Sequence, residues 1–405
     1  MVGEGTPVPE SVAFVATSDY RLYRFRRRLI DELMSRDCRV DAAVPRGEYA
    51  ASLEQVGVGV HDWSVRRDTI NPARELISVA RLARLLRKIR PTVCHTFSLK
   101  PNLQGAVAAR LAGVPVIVAT YTGLGYLFTE AERRSGTLRR AVFPFIRLSS
   151  SLCDAVVFQN RDDMQQMLAQ GLVSHEKARL MPGGSGVDLD EFSPSHPSDS
   201  GPVELKRELG VPEGDLVVFT ATRLLWDKGV KELVEAATQI VNTGLKVSFL
   251  IAGDTDAGNR ASIPAECVER WQKRLGITFL GERKDIASLL RAADIVAFPS
   301  YREGMPRFLI EASATGKPLV TTDVPGCREV VDDGVNGMLV PPRDAGLLAA
   351  AIRHLASDKL LRERLGGAAR EKAVREFDDR LVVHETLGLY AELVARHPGK
   401  VITRP

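Results

Sequence analysis

The sequence predicts an α/β protein made of two domains, each with a mainly parallel sheet covered by helices. A chain of 405 residues exceeds the size of one ordinary hydrophobic core. Apolar runs of strand length alternate with helical patterns along both halves, which is the order expected of parallel sheets. The Pro/Ser-rich stretch Ser193–Pro202 interrupts this order and is the best candidate for an interdomain linker.

In the first half, short apolar runs indicate strands, and amphipathic or Ala-rich stretches indicate helices. The predicted strands are Val12–Thr17, Arg39–Val44, Thr92–Thr96, Pro115–Ala119, Ala155–Gln159 and Ala178–Pro182. The predicted helices are Tyr23–Ser35, Pro72–Ile89 and Asn102–Ala112.

The alternation restarts after the linker. The predicted strands are Leu216–Ala221, Val247–Ala252, Ile277–Leu280, Ile295–Phe298 and Pro318–Thr321, and the helices are Gly229–Asn242, Asp285–Ala292 and Ala345–Ala356. The last helical region, Leu360–Ala395, is long for one element and is expected to break near Phe377 and Asp378. We expect domains at 1–197 and 198–377, and a C-terminal helix at 378–405 that returns to the first domain.

The composition, 44% hydrophobic and 26% charged, is that of a soluble globular protein. Arg110 interrupts the best candidate for a membrane span, and the first ten residues lack the regions of a signal peptide. The five scattered cysteines indicate neither a disulfide framework nor a zinc site. The cytoplasm is therefore the expected compartment.

Charge is distributed unevenly between the two halves. Residues 1–150 contain 23 Lys and Arg against 14 Asp and Glu, whereas residues 151–405 contain 32 against 37. The basic half suits an anionic partner such as a diphosphate or an anionic membrane, and an ordinary solvated basic surface explains it equally well. No nucleic-acid partner is expected, because no aromatic stacking platform or helix-turn-helix pattern accompanies the basic residues.

The most informative segment is Ser300–Ala312, with the sequence SYREGMPRFLIEA. It places Glu303 and Glu311 on either side of a tight turn and the start of a helix that stops at Gly316. A helix start offers backbone N–H groups and a partial positive charge, which favour a phosphate. An anion site flanked by two carboxylates suits a sugar nucleotide, with the diphosphate on the amides and the hydroxyls on the acids.

Two cations follow the predicted strand Leu216–Ala221. Arg223 and Lys228 can clamp a diphosphate from the end of a strand. Taken alone, a surface ion pair with Asp227 or Glu232 is the simpler interpretation. The two glutamates in the same half favour the clamp.

Five motifs in order give the second half a family resemblance. They are R-L-x-x-x-K-G from Arg223, F-L-G from Phe279, A-D-I-V-A-F-P-S from Ala293, E-G-M-P-R-F-L-I-E-A from Glu303 and P-G-C-R-E-V-V-x-D-G-x-N-G-M-L-V-P from Pro325. The chain resembles the retaining glycosyltransferases of family 4, and G-S-G-V-D-L-D-E-F from Gly184 is similar to the interdomain signature of that family. The resemblance implies a GT-B fold, in which two Rossmann-like domains face each other across a cleft.

Within the family, the chain is most similar to bacterial transferases that extend polyprenyl-diphosphate-linked sugars, including the galactosaminyltransferase of N-glycosylation and capsule or O-antigen enzymes. The segments that carry this similarity are HTFSLKPN from His95, TGLGYLF from Thr122 and YREGMPR from Tyr301. The resemblance implies a UDP-sugar donor, with GDP left open, and a polyprenyl-diphosphate-linked sugar as acceptor. It also implies peripheral contact with the inner face of the cell membrane.

The resemblance assigns the donor residues by position. Arg223 and Lys228 would hold the diphosphate, Glu303 would meet the transferred sugar, and these three would be the catalytic residues. Glu311 would bind the ribose hydroxyls. The other expected donor contacts are Gly304, Met305, Pro306, Arg307 and Phe308 beside the phosphates and sugar, and Gly281, Glu282 and Arg283 beside the base.

The acceptor residues are expected in the first half. The usual glycine-rich loop after the first strand is replaced by Thr17–Arg28, where Arg21 and Arg24 could grip an acceptor diphosphate; a solvated basic helix face is the alternative. Thr122 stands where many members have a histidine, which puts a histidine-based role in doubt, and a structural role for His95 is at least as favoured as an acceptor contact. The acceptor set is Tyr20, Arg21, Arg24, His95, Lys100, Asn102, Thr122, Gly123 and Tyr126.

Two further segments have specific expectations. Arg133–Arg147 interleaves cations with apolar residues, which favours an interfacial segment on an anionic membrane; a buried helix with a basic outer face is the alternative. The D-x-D strings Asp254–Asp256 and Asp188–Asp190 are not expected to bind metal, so neither a metal nor another cofactor is expected.

The resemblance thus implies transfer of a hexose or N-acetylhexosamine, with retention, to a lipid-linked saccharide. Three alternatives stay open. They are a transferase with a soluble acceptor, a UDP-sugar epimerase or phosphorylase of the same architecture, and a sensor that binds the sugar nucleotide without turnover.

Overall fold

The computed structural model describes residues 7–63, 72–128, 136–196, 201–256, 258–259, 261–273 and 276–397. The chain divides into two compact units, one ending at Gly186 and resuming at Asp379, and the other running from Val187 to Asp378. The division comes before the proposed linker Ser193–Pro202. That segment lies in the second unit, and residues 197–200 of it are outside the described part.

Within the described residues, the first unit contains a seven-stranded parallel sheet in the order β3-β2-β1-β4-β5-β6-β7. The strands are β1 Ser11–Val15, β2 Arg39–Val44, β3 Gly59–Asp62, β4 Val93–Phe97, β5 Val116–Tyr121, β6 Ala155–Phe158 and β7 Ala178–Leu180. The central strands are buried on both faces, which explains why most of their residues are apolar. The strand order reverses between β1 and β4, the place where such sheets bind ligands.

Helices cover both faces of this sheet. They are α1 Asp19–Ser35, α2 Ala50–Gln55, α3 Pro72–Ile89, α4 Leu99–Ala112, α5 Thr137–Leu152 and α6 Arg161–Ala169. Leu29, Ile30 and Leu33 of α1 belong to the core on one face, whereas Leu82 of α3 and Ile146 of α5 belong to the core on the other.

In the described part of the second unit, six parallel strands form a sheet in the order β10-β9-β8-β11-β12-β13. They are β8 Leu216–Ala221, β9 Val247–Ala252, β10 Ile277–Gly281, β11 Ile295–Phe298, β12 Leu319–Thr322 and β13 Gly337–Val340. The helices are α7 Pro202–Glu208, α8 Val230–Val241, α9 Ala265–Gln272, α10 Ile286–Ala292, α11 Arg307–Ala314, α12 Cys327–Val330, α13 Ala345–Ser357 and α14 Lys359–Lys372.

The long C-terminal helical region breaks where the sequence predicts. Helix α14 runs into a π-helical turn, Ala373–Phe377, and α15 follows as Asp379–Ala395. Phe377 is buried in the core of the second unit, whereas Val383, Leu387 and Tyr390 of α15 are buried in the core of the first.

The predicted class, two α/β units with parallel sheets, is confirmed. All strands of each sheet run in the same direction, so the loops that follow them gather at one edge. No helix in the described ranges is both long enough and apolar enough to cross a membrane.

Candidate active site

Two loops of the second unit meet at the carboxyl ends of neighbouring strands. Strand β8 pairs with β11, so the loop after β8 and the loop after β11 lie side by side at one edge of the sheet. The backbone N–H of Tyr301 donates to the carbonyl oxygen of Asp227 at 2.8 Å and joins the two loops directly.

Lys228 and Glu303 form an ion pair across these loops. Lys228 Nζ donates to Glu303 Oε1 at 2.5 Å, and Ser300 Oγ donates to the same oxygen at 2.7 Å. Both charged side chains are 15% exposed, so the pair is largely shielded from water. The structure therefore places the cation expected to bind the diphosphate beside the acid expected to meet the sugar.

Gly229 makes the close approach of the two loops possible. Its φ of 69° lies in the left-handed region, and a Cβ atom there would be 2.0 Å from the carbonyl oxygen of Pro299. Only glycine fits such a position, which explains the K-G pair in the first donor motif.

The loop after β12 supports Glu303. The backbone N–H of Glu303 donates to the carbonyl oxygen of Pro325 at 3.2 Å. At the next residue, Gly326, a Cβ atom would be 2.6 Å from the carbonyl oxygen of Gly304 and 2.8 Å from that of Glu303. The P-G pair of the last motif is therefore a packing requirement of the loop that carries Glu303.

Helix α11 begins directly after the loop that carries Glu303, and Pro306 lies one position before its first residue. Glu311 is buried, and its Oε1 accepts a hydrogen bond from Arg307 Nε at 2.7 Å. The ring of Phe308 is buried against Phe219 and Phe298, so the side chain is part of the core. Gly304 and Pro306 are buried in the same turn, and Met305 packs against the core.

Arg223 lies at the same edge of the sheet with a different partner. Its Nη1 donates to Asp256 Oδ2 at 3.0 Å, and the two side chains are 48% and 37% exposed. The partner is thus neither Asp227 nor Glu232, the two alternatives that the sequence suggested. Exposed ion pairs contribute little to stability, so exchanging Asp256 for a phosphate costs Arg223 little.

The two D-x-D strings have ordinary structural contacts. Asp256 pairs with Arg223, and Asp188 Oδ1 accepts the backbone N–H groups of Asp190 and Glu191 in a turn. The described ranges contain no cluster of three or more His, Cys, Asp or Glu side chains that could hold a metal ion. Activity without a metal stays a prediction.

The loop expected beside the base follows β10. Gly281 accepts a hydrogen bond from the backbone N–H of Gly253 at 2.7 Å, and Glu282 is exposed. Arg283 binds both carboxylate oxygens of Asp285, at 2.8 and 2.6 Å, and this hydrogen bonding lowers the pKa of Asp285. The Arg283 guanidinium is thus paired with Asp285, and its contact with the base stays a prediction.

The acceptor candidates of the first unit fall into an exposed and a buried group. Tyr20, Arg21 and Arg24 form the exposed group on α1. The helix begins at Asp19 and not at Tyr23, so Arg21 lies within its first turn. Tyr20 is 44% exposed, and its ring centroid lies 5.2 Å from that of Tyr49.

Asp19 organises this edge of the first unit, although no motif singled it out. Its buried carboxylate accepts the backbone N–H groups of Tyr20, Gly47 and Tyr49 at 2.8 to 2.9 Å. One side chain thereby ties the loop after β1 to the loop after β2. Gly47 and Tyr49 lie 28 and 30 positions away in the sequence, so the pattern around Asp19 could not reveal these two partners.

His95 belongs to the buried group. It lies in the middle of β4, whereas the predicted strand Thr92–Thr96 placed it near the end. Its Nδ1 is 2.6 Å from the Tyr390 hydroxyl and its Nε2 is 2.7 Å from Thr120 Oγ1. Complete burial, followed by the charge of Arg26, lowers the pKa of His95 well below its usual value. These contacts favour the structural role, although the ring also lines a small cavity with Gln159.

Asn102 and Lys100 are also engaged within the first unit. Asn102 is fully buried and bonds to Thr96 Oγ1 at 2.7 Å and to the Thr120 carbonyl oxygen at 3.1 Å. Lys100 pairs with Glu75 at 3.2 Å. Asn102 therefore joins α4 to strands β4 and β5, whereas Lys100 forms a partly exposed ion pair.

Thr122 and Gly123 follow β5 beside a strained residue that sequence reasoning missed. Ser98 has φ 78° and ψ 163°, a region used almost exclusively by glycine, and its Oγ lies 3.2 Å from Thr122 Oγ1. Gly123 itself has a φ of 134°. Tyr126 lies in a 3-10 turn, Gly125–Phe128, and its side chain is outside the described part of the structure.

The segment expected at the membrane forms much of α5, and its residues 133–135 lie outside the described ranges. Phe145 and Leu148 are 63% and 51% exposed. Ile146 is buried, and the Arg139 guanidinium stacks on the rings of Phe128 and Phe143 at 5.1 and 5.7 Å. An exposed apolar and basic strip therefore exists, but Arg139 is turned toward its own unit.

Two family models match this chain. Residues 203–372 match the model "Glycosyl transferases group 1", and residues 24–184 match the model "Glycosyl transferase 4-like domain". Together the two models span most of the chain. The protein belongs to the family of glycosyltransferases that these two models describe.

Curated relatives agree with this assignment. The chain is 27% identical to the N,N'-diacetylbacillosaminyl-diphospho-undecaprenol α-1,3-N-acetylgalactosaminyltransferase of Campylobacter jejuni, over 95% of this chain and 99% of that protein. It is 29% identical to the UDP-Gal:α-D-GlcNAc-diphosphoundecaprenol α-1,3-galactosyltransferase of Escherichia coli, over 80% of this chain and 81% of that protein.

A solved structure shows the fold. The crystal structure of Anabaena HepE in complex with UDP-glucose matches with a TM-score of 0.76 and 23% identity, covering 95% of this chain and 99% of that chain. The two Rossmann-like units are accordingly those of a GT-B fold, as the motifs implied.

Proposed function

We propose that this glycosyltransferase moves a hexose or N-acetylhexosamine from a UDP-sugar to a polyprenyl-diphosphate-linked saccharide, with retention of configuration. The observation that supports it most is the contact of Lys228 with Glu303 at 2.5 Å. Two relatives of this chain are named as transferases that act on diphospho-undecaprenol-linked sugars. The undecaprenyl-linked substrates in the names of two relatives support the acceptor class. The HepE complex with UDP-glucose supports the donor class.

The leaving diphosphate is the group that this site stabilises. As the bond between the sugar carbon and the phosphate oxygen breaks, negative charge grows on the diphosphate. Lys228 and Arg223 supply fixed positive charge, and the first turn of α11 supplies partial positive charge beside Glu303. Lys228 then exchanges the Glu303 carboxylate for a phosphate oxygen.

The two glutamates have separate roles. Glu303, released from Lys228, orients the sugar and stabilises the positive charge that develops on the ring. Glu311, buried and held by Arg307, accepts hydrogen bonds from the ribose hydroxyls. Glu303 precedes α11 and Glu311 lies in it, and this separation suits the transferred sugar and the ribose of one sugar nucleotide.

The acceptor hydroxyl attacks on the face that the phosphate leaves, so that configuration is retained. Its oxygen bonds to the sugar carbon while its proton passes to the departing phosphate oxygen. Arg21 and Arg24, exposed at the start of α1, hold the acceptor diphosphate, and Tyr20 contacts its saccharide.

The first unit also makes peripheral contact with the anionic membrane that holds the acceptor. The exposed Phe145 and Leu148 enter the acyl boundary, and Arg140 on the same helix attracts the headgroups. The chemistry requires no metal, so turnover in excess EDTA should equal turnover without it. Complete loss that added metal reverses would contradict this.

A panel of UDP-sugars tests the proposal. UDP release is measured with and without a polyprenyl-diphosphate-linked monosaccharide, and we expect release with one donor only when the lipid acceptor is present. Slow release without acceptor would move the search to soluble acceptors. Conversion of the donor without UDP release would indicate an epimerase, and tight UDP binding without turnover would indicate a sensor.

A further inference from the structure

Tyr301 connects the two loops of the donor site to a buried carboxylate. Its hydroxyl donates to Glu232 Oε1 at 2.7 Å, and its backbone N–H donates to the Asp227 carbonyl oxygen at 2.8 Å. It follows Ser300, whose hydroxyl bonds to Glu303. Tyr301 is therefore linked on one side to the turn that carries Lys228 and on the other to Glu303.

Glu232 is a buried carboxylate that lowers the stability of the second unit. It lies in the first turn of α8, is 7% exposed, and its Oε2 has no hydrogen-bond partner in the described part of the chain. A buried carboxylate oxygen without a donor costs free energy, which an apolar side chain would avoid. Burial and Glu232 raise the pKa of Tyr301, so the hydroxyl keeps its proton and donates it.

Arg343 holds the opposite side of the same tyrosine at a conformational cost. It follows β13 with a φ of 65°, in the left-handed region that glycine occupies without strain. Its guanidinium carbon lies 4.8 Å from the centroid of the Tyr301 ring, a cation–π contact. Glycine would satisfy the backbone but could not reach the ring.

We propose that Glu232, Tyr301 and Arg343 are positioning residues that hold Lys228 and Glu303 at their working separation. The unpartnered Oε2 of Glu232 and the left-handed backbone of Arg343 both lower stability, and both residues contact Tyr301, Glu232 through its other oxygen, Oε1. Strain that persists beside a site is explained when the geometry it enforces serves the reaction. The inference rests on the proposed function, because it assigns Lys228 and Glu303 their roles in donor cleavage.

Arg343→Gly separates positioning from simple stability. We expect it to unfold at the wild-type midpoint or higher, because the left-handed backbone is relieved. We expect kcat to fall at least about tenfold, or roughly 1.4 kcal/mol, with the KM for the UDP-sugar changed less than about twofold. The matched control is Arg90→Gly, which relieves a φ of 49° at the end of α3 and should leave kcat unchanged.

Tyr301→Phe is the second variant, because it keeps the ring under Arg343 and removes the bond to Glu232. We expect the same fall in kcat together with a lower midpoint, because the buried Glu232 Oε1 then loses its donor as well. Wild-type kcat in both variants would overturn the inference. A fall in kcat that is matched by a lower midpoint in Arg343→Gly would also overturn it, since that is the result of a structural role alone.

If the wild-type protein transfers no sugar, the proposed function is contradicted, and the positioning role is then tested separately. The affinity for UDP or GDP, whichever the wild type binds, is then measured by calorimetry. We expect Arg343→Gly to weaken it by about fivefold, because the free diphosphate carries the full charge that Lys228 must meet. Unchanged affinity would overturn the positioning role.

Discussion

At the level of single residues, the donor site depends on contacts between side chains far apart in the sequence. Lys228 and Glu303 are separated by 75 positions and share a hydrogen bond. Their motifs identified each residue, but neither motif indicated that the two touch or that Ser300 bonds to Glu303. Those contacts follow from the pairing of β8 with β11, which brings the two loops together.

Lys228→Ala should lower kcat by roughly two to three orders of magnitude, the usual effect of removing a group that stabilises transition-state charge. The control is Lys231→Ala, three positions further along in α8, whose side chain is 53% exposed and pairs with Glu235. We expect the control to keep wild-type turnover in an assay of UDP release. Near-normal turnover of Lys228→Ala would refute its assignment.

His95 predicts a pH dependence of stability. Its pKa in the folded protein is lowered by burial, so the unfolded chain binds the proton more readily. The contribution of His95 to the free energy of unfolding is complete above the pKa of histidine in the unfolded chain, about 6.5. As the pH falls below that pKa, the free energy of unfolding decreases by up to about 1.4 kcal/mol per pH unit. Denaturant unfolding at pH 7.5 and 5.5 measures the loss.

His95→Gln should therefore lose less stability than the wild type between these two pH values. His354→Gln, which changes an exposed histidine, should keep the wild-type dependence. Equal pH dependence in all three proteins would show that His95 takes up a proton without cost, contrary to its buried contacts.

At the level of elements, the glycines of the motifs predict a selective effect on activity. Gly326 and Gly334 have φ values of 80° and 72°, so the left-handed backbone alone should cost each alanine variant about 1 kcal/mol, and Gly326→Ala should lose more. Only the Gly326 position is crowded, because its Cβ would clash with the backbone at Glu303 and Gly304, whereas Gly334 faces open space.

We therefore expect Gly326→Ala to lose at least about tenfold in kcat, or roughly 1.4 kcal/mol, and Gly334→Ala to lose none. Thermal unfolding and UDP release measured on the same preparations separate the two effects. Equal activities would mean that the loop after β12 does not support Glu303.

Helix α5 predicts vesicle binding through its exposed side. Phe145→Ser with Arg140→Glu should reduce sedimentation with anionic vesicles by at least about tenfold, because a charge near the membrane is worth about 1 kcal/mol and an apolar anchor is lost as well. Arg139→Glu is a poorer test, since Arg139 stacks on Phe128 and Phe143 within the unit.

The control is Leu360→Ser, an equally prominent apolar side chain, 77% exposed, on α14 of the second unit. It should bind vesicles like the wild type. Unchanged binding of the α5 variant would contradict the membrane contact.

Elements with a clear apolar period or run were predictable, and short helices without one were not. The bounds of Arg39–Val44, Pro72–Ile89 and Leu216–Ala221 agree with the structure, because each has a clear apolar period or run. Ala50–Gln55 and Cys327–Val330 were missed because one or two turns give no period. The start of α1 was placed too late, because Asp19 is held by residues of another loop.

At the level of the whole molecule, the two units differ in how far the sequence predicts their sites. The donor motifs of the second unit identified the loops that the structure brings to one edge of its sheet. In the first unit, His95 and Asn102 proved to be buried and hydrogen bonded, and Asp19 and Ser98 were missed. Burial and backbone strain arise from tertiary packing, which no local pattern encodes.

The most direct test is to follow a labelled sugar from its UDP donor into the lipid fraction of a reaction with a polyprenyl-diphosphate-linked monosaccharide. The account predicts one labelled sugar per acceptor in the organic extract, with the anomeric configuration of the donor retained. Label that stays in water as free sugar or as altered UDP-sugar, while the acceptor is unchanged, would contradict transfer to a lipid-linked saccharide.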